Sequence, residues 1–155
     1  ENLHSYKDLI NIIFSMKPKL NNIAIVPARI GSKRIKEKNI KLFHGKPIII
    51  WTLEIIRKSK IFDKIFISTD SAKIVNIIKK YNFNNFIKRD KKLSDDYTGT
   101  DQVINHAIRQ LSVKYELKNI CCIYPCNPFL IKRDLKQALY KLKKNKKLLI
   151  FSIIQ

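Results

Sequence analysis

The sequence predicts an α/β fold, a parallel sheet held between layers of helices. Two observations predict it. Short runs rich in β-branched residues alternate with longer segments of helical periodicity, and the odd polar stretches all fall just after the short runs. The run NNIAIVPA (21–28) reads as a first strand ended by Pro27, which cannot donate to a ladder. In KPIIIWTLEIIRKSKIF (46–62), Ile48, Trp51, Leu53, Ile55 and Ile56 recur at helical spacing, and Pro47 suits a helix start, where an N–H has no partner anyway. DKIFISTD (63–70) is a second strand. SAKIVNIIKKYNF (71–83) follows as an amphipathic helix, with Asp70 or Ser71 as N-cap. NNFIKRD (84–90) is a short strand that runs into the polar loop KKLSDDYTGT (91–100), and DQVINHAIRQLSVKY (101–115) is a helix. KNICCIYPCNPFL (118–130) is a strand that breaks at Pro125 and Pro128; IKRDLKQALYKLKKNKK (131–147) is a helix and LLIFSIIQ (148–155) a last strand.

This alternation is the signature of a Rossmann-like, three-layer parallel sheet, in which ligands sit outside the carboxyl ends of the strands. Residues 28–39, 68–70, 89–100 and 124–129 gather there. Polar chemistry collected on one edge of a sheet is itself evidence for a site.

Composition narrows the function. The 155 residues suffice for one domain with a core, and no apolar run approaches the ~20 residues of a membrane span. The first twenty residues mix charge into their apolar run and lack a small-residue cleavage site, so they read as neither signal peptide nor anchor. A chain that opens on Glu1 rather than Met is read as a fragment or a processed product. The net charge of +20 would ordinarily argue for a polyanionic partner. Here the excess is mostly Lys, spread along the whole chain and accompanied by abundant Ile and Asn. That is the mark of AT-rich coding more than of a nucleic-acid stripe, and no recognition module or aromatic platform accompanies it. The three cysteines, Cys121, Cys122 and Cys126, fit neither a disulfide framework nor a zinc site, and read as reduced thiols of a cytoplasmic protein. The first two, adjacent in an apolar run, suit a buried strand.

The stretch NIAIVPARIGSKRIKEKNIKLF (22–43) carries most of the chemistry. It lacks both the G-x-x-x-x-G-K-[ST] and the G-x-G-x-x-G patterns. It does offer Arg29, Gly31, Ser32, Lys33, Arg34 and Lys38 just past a strand end, where backbone N–H groups and cationic side chains can hold a phosphate. On chemistry alone, a phosphate site and a solvated basic loop remain equally open.

Four segments, in order, resemble one family. AIVPARIGSKRIKEKN is similar to the A-R-G-G-S-K-x-[IL]-x-x-K-N loop of the nonulosonate cytidylyltransferases, the CMP-sialic acid synthetase family. FISTD resembles its V-S-T-D strand, KRDKKLSDDYTGT its R-x-x-E-L-S-x-D segment, and CCIYPCNPFL its Q-x-T-S-P turn or the variant Y-P-T-x-P, with Tyr124 at the family's Gln position. HGKPII, LSDDYTGT and IYPCNPFL are most similar to the pseudaminic acid branch. The resemblance covers residues 22 to about 155 and implies a fold of the nucleotide-diphospho-sugar transferase type. It divides the chain into an extension, 1–20, without family counterpart and a nucleotide-binding portion, 21–155.

The resemblance also implies a reaction, in which the anomeric hydroxyl of a nine-carbon acidic sugar attacks the α-phosphate of CTP to give a CMP-sugar and pyrophosphate, with Mg²⁺ required. It carries roles onto matching positions. Arg29, Lys33 and Lys38 become the candidates for catalysis by charge neutralisation. Arg29, Ser32, Lys33, Asn39, Arg89 and Thr98 would bind the nucleotide, and Thr100 and Tyr124 the sugar. Asp70 is either a helix cap or a site carboxylate. Asp95 and Asp96 are either metal-holding or simply solvated, and His44 and His106 read as structural. One position departs from the pattern. The second loop glycine is Ile30 here, and a β-branched residue is costly wherever φ is positive. Family chains run further, and the acidic D-x-[DT] motif credited with the metal and the dimerisation arm are expected beyond the end of this one. The family-type homodimer is therefore not expected, and the metal ligands are not assigned. The alternatives are a remnant that at most binds CTP, and cytidylyltransferases for N-acetylneuraminate, legionaminate or 3-deoxy-manno-octulosonate.

Overall fold

The computed structural model describes residues 6, 10, 12, 17–32, 34–95 and 97–144. Strand β1 (Lys19–Pro27) leads through a long loop, with a 3₁₀ turn at Lys38–Ile40, to a hairpin of β2 (Leu42–Phe43) and β3 (Lys46–Pro47) and then helix α1 (Ile48–Ser59). Strand β4 (Lys64–Thr69), helix α2 (Ala72–Lys79) and strand β5 (Phe86–Lys88) follow. After a 3₁₀ turn at Lys91–Leu93 come α3 (Thr100–Ser112), β6 (Glu116–Cys122) and α4 (Lys132–Lys144).

The main sheet runs β5-β4-β1-β6, and every neighbouring pair is parallel. Ile25 lies opposite Phe66 on one side and Cys122 on the other. Alternation along β1 sorts its side chains by face. Ala24 and Val26 join Ile49, Ile50, Leu53, Ile56, Ile74 and Ile78 under α1 and α2, while Ile23 and Ile25 meet Ala107 and Leu111 of α3 on the other face. The helices therefore form two outer layers, as the strand–helix alternation predicts. Each fully buried Ile of this core contributes roughly 1.5–3 kcal/mol relative to exposure.

The strand order reverses between β1 and β6: the chain first steps outward from β1 to β4 and β5, then returns to the far side of β1. This is a topological switch point, where the loops after the two central strands diverge and open a crevice. The ladder between them ends with Ile123 N–H donating to Ile25 C=O (3.0 Å), and Pro125 then turns the chain away.

Three details differ from the sequence reading. The segment 42–47 is a hairpin, with His44 (φ 45°) and Gly45 (φ 81°) both left-handed in a two-residue loop. Its helix begins only at Ile48, with Pro47 as N-cap. Strand β6 starts at Glu116 and is an edge of the described sheet, so Cys122 is exposed and Cys121 only half-buried, where a buried strand was expected. Burial still pushes the Cys121 thiol up to about 11. The expected last strand, 148–155, lies outside the described residues. Among these residues no helix is long and apolar enough to cross a membrane.

Candidate functional site

The loop after β1 crosses the carboxyl ends of β1 and β4. Its first residue is tied to the sheet, with Ala28 N–H donating to Ser68 C=O (2.8 Å). Arg29 then reaches sideways, its Nη1 donating to the Asp95 carbonyl (2.6 Å). The Ile30 N–H donates to Asp70 Oδ1 (3.4 Å) while its side chain packs against the core. Ile30 is not among the residues with positive φ, so the departure from the family glycine brings no left-handed strain. Gly31 has no positive φ either, and a Cβ built there would meet nothing within 4 Å.

The far end of the loop is held from below. Glu37, in a left-handed conformation (φ 52°), opens the 3₁₀ turn, and both of its carboxylate oxygens accept from Lys73 Nζ (2.8 and 2.7 Å) on α2. Lys38 is exposed on that turn and Asn39 is buried. The Asn39 amide closes the loop on itself, Nδ2 donating to the Arg29 carbonyl (2.8 Å).

Beside this loop, the end of β4 supplies Ser68, Thr69 and Asp70. Ser71 is the helix cap, accepting from Ile74 N–H (3.3 Å), which leaves the Asp70 carboxylate to the Arg29–Ile30 segment. Arg89, at the end of β5, is 4% exposed. Its Nη2 donates to the Ser68 carbonyl (2.8 Å) and its Nε to Ser68 Oγ (3.3 Å), so the guanidinium braces the ends of two strands. Burial lowers the Arg89 pKa, the Asp70 carboxylate opposes that shift, and Arg29 adds to it. Two arginines and one carboxylate thus share this corner, a local excess of positive charge suited to a triphosphate.

The 91–99 loop forms the outer wall. Asp95 Oδ1 accepts from Tyr97 N–H (3.0 Å), Thr98 N–H (2.7 Å) and Thr98 Oγ1 (2.7 Å), so Thr98 is engaged within its own loop. Across the crevice, Thr100 Oγ1 and Tyr124 OH lie 3.0 Å apart, which joins the start of α3 to the turn after β6. Tyr124 is 61% exposed.

Of the sequence-predicted residues, Arg29, Lys38, Asn39, Arg89, Thr98 and Tyr124 stand on loops at the carboxyl edge and Thr100 opens α3 beside them; Ser32 is half-buried there, and Lys33 and Asp96 lie outside the described residues. A recess of about 240 Å³ lies instead at the amino ends of β4 and β5, lined by Asp63, Lys64, Asn84 and Asn85 among others, away from all of them. Sequence reasoning placed Ser68 at this edge without a role, and missed the Glu37–Lys73 pair and Thr52 of α1. The fully buried Thr52 donates its hydroxyl to the Pro125 carbonyl (2.8 Å) and accepts from Asn127 N–H (3.1 Å). A threonine in the apolar stripe of α1 was the available signal. Among the described residues, no three His, Cys, Asp or Glu side chains gather into a metal shell.

The sequence profile of the cytidylyltransferases matches residues 23–152. The pseudaminic acid cytidylyltransferase of Campylobacter jejuni is 40% identical over 134 residues, covering 86% of this chain and 58% of that protein. The N-acylneuraminate cytidylyltransferase of Escherichia coli is 33% identical over 107 residues, 69% of this chain and 25% of that protein. Among solved structures, a CMP:2-keto-3-deoxy-manno-octonic acid synthetase complexed with CTP superposes with a TM-score of 0.69 at 16% identity, over 83% of this chain and 49% of that one, a likeness of fold. The chain thus spans little more than half the length of the curated relative it matches at 40%. With four motifs at four strand ends and a profile match across most of its length, the chain belongs to the cytidylyltransferase family.

Proposed function

We propose that the chain is the nucleotide-binding portion of an enzyme that transfers CMP from CTP to the anomeric hydroxyl of a nonulosonic acid of the pseudaminic acid type. The observation that carries this reading is the 40% identity to a pseudaminic acid cytidylyltransferase over 86% of the chain. The sugar oxygen forms a bond to the α-phosphorus, the bond to the bridging oxygen breaks, and pyrophosphate leaves. Such a transfer needs in-line positioning and charge neutralisation more than covalent catalysis. Arg29, Lys33 and Lys38 supply cationic groups along the phosphate loop. Ser32, Asn39, Arg89 and Thr98 belong to the nucleotide side, and Thr100 and Tyr124 face the sugar. Asp70 holds the loop backbone and keeps Arg29 and Arg89 compatible at close range.

Mg²⁺ belongs to this reading as the companion of the triphosphate, whose charge it would offset. Among the described residues no three His, Cys, Asp or Glu side chains would form a protein shell for it. Three free thiols suit a reducing compartment, and we place the reaction in the cytoplasm. The extension is proposed to end at residue 18, two residues earlier than the sequence reading set it, because Lys19 and Leu20 pair with Glu116 and Leu117 in the main sheet. No dimer arm is assigned.

The experiment is to incubate the chain with CTP, Mg²⁺ and pseudaminic acid and to measure pyrophosphate. Release is expected, with less from N-acetylneuraminate, legionaminate or 3-deoxy-manno-octulosonate. A preference for one of these would reassign the sugar. CTP binding without release would restrict this chain to the nucleotide half of the reaction, and salt-sensitive RNA binding without CTP preference would remove the reading.

A further inference from the structure

We propose that Cys126 is a positioning residue that clasps the turn after β6 onto the phosphate loop through Asn39. This rests on the CTP-site reading above. The geometry fixes who donates. The Arg29 carbonyl can only accept, so the Asn39 amide must turn Nδ2 toward it (2.8 Å). That leaves Asn39 Oδ1 facing Cys126 Sγ at 3.1 Å, and an amide oxygen can only accept. The thiol proton is therefore the link, and neither a thiolate nor an alkylated sulfur can replace it.

Both ends of the link are anchored. Asn39 is 6% exposed, and the alternative orientation of its amide would set oxygen against the Arg29 carbonyl. On the other side, Thr52 holds the same turn at Pro125 and Asn127, one residue either side of Cys126. Side chains from α1, the turn and the 3₁₀ segment thus form one chain of hydrogen bonds ending on the backbone of Arg29, across the opening between β1 and β6. Burial keeps the Cys126 thiol in its protonated, donating form, against a smaller opposite pull from exposed Lys38. The corresponding position of the family turn Y-P-T-x-P is a threonine, whose hydroxyl can donate in the same way. The consequence is that the turn facing the sugar and the loop facing the phosphates move together.

The test compares Cys126→Thr with Cys126→Val in the chain as it stands, since the two side chains have the same shape and differ in the donor. Two readouts are taken, backbone hydrogen exchange over residues 29–41 and CTP affinity by calorimetry. We expect Cys126→Val to exchange about tenfold faster and to bind CTP about tenfold more weakly, the scale of one lost hydrogen bond, with Cys126→Thr close to the unchanged protein. Equal exchange in the two variants overturns the clasp. Different exchange with equal CTP affinity overturns its role in positioning. If the unchanged chain binds no CTP, the proposed function fails, while the exchange comparison still decides whether the clasp exists. Should Cys126→Val not fold, Cys126→Ser against Cys126→Ala makes the same comparison.

Discussion

The two rims of the crevice are built differently. On the β1–β4–β5 rim, Arg89 and Asn39 are buried at 4% and 6% exposure, and their polar atoms are spent on Ser68, Arg29 and Cys126. On the β6–α3 rim, Tyr124 is 61% and Phe129 82% exposed, and Tyr124 and Thr100 bond to one another. One rim is set before any ligand arrives; the other keeps exposed groups available. The difference matches the proposed function, in which the nucleotide is the constant substrate and the sugar the one to be identified. Preorganised polar groups favour a ligand because their ordering cost has already been met in folding.

The largest effect should come from Arg89. Replacing it by Ala removes two charge-assisted hydrogen bonds and leaves a cavity under two strand ends. We expect a stability loss of about 2–4 kcal/mol by urea unfolding. A loss well below this range would mean that the first rim is not braced as described. Next comes Arg29→Ala, expected to weaken CTP binding by about 1.5–3 kcal/mol while stability changes less, because the Arg29 guanidinium spans from the loop to the Asp95 carbonyl at the edge of the proposed site. Unchanged affinity in calorimetry would take Arg29 out of the site.

A smaller effect, dependent on pH, belongs to strand β6 of the second rim. The Cys121 thiol, whose usual value is near 9.0, is raised to about 11 by burial first and by neighbouring Cys122 second. A raised acid binds its proton more tightly when folded, so its stabilising contribution is complete below pH 9 and is lost as pH rises toward 11. Melting temperature should fall across that window, and less steeply in Cys121→Ala. Identical slopes would mean that the thiol at the edge of the sheet is not desolvated. The smallest effect should come from Tyr124→Phe. It deletes one exposed hydroxyl, so stability should change by less than about 0.5 kcal/mol and CTP affinity should hold. Its consequence belongs in the apparent affinity for the acidic sugar. A loss of CTP binding comparable to that of Arg29→Ala would erase the distinction between the rims.

The parts legible in the sequence were those governed by local physics. Helix α1 shows itself through its apolar periodicity, although the face it buries is carried by Ile49, Ile50, Leu53 and Ile56 while Ile48, Trp51 and Ile55 of the sequence reading are half-buried. Strand β1 alternates, sending Ile23 and Ile25 to one face and Ala24 and Val26 to the other. The loop after β1, where the phosphate site is proposed, is legible as a position and as a motif. What stayed hidden depends on neighbours distant in sequence. Nothing around Asn39 says that its amide is fixed by a thiol 87 residues away. Nothing around Cys121 and Cys122 says that β6 is an edge, since an apolar run reads alike at the centre or the border of a sheet. The ambiguity at Asp70 was settled by its neighbour: once Ser71 caps α2, the carboxylate is released to the loop. The hairpin at 42–47 did carry a local signal, a glycine after His44 ahead of Pro47, but its strands are two residues each, too short to show a period.

That hairpin bears on the order in which the molecule assembles. Trp51 Nε1 donates to the Phe43 carbonyl and Lys46 pairs with Glu54, each across eight residues of chain. The clasp between Asn39 and Cys126 spans 87. By the logarithmic dependence of loop entropy on length, closing the longer span costs about 2 kcal/mol more. The wall behind the phosphate loop can therefore form from short-range contacts alone. The crevice itself takes shape only when β6 docks beside β1, so the proposed site is among the last parts of the molecule to be completed.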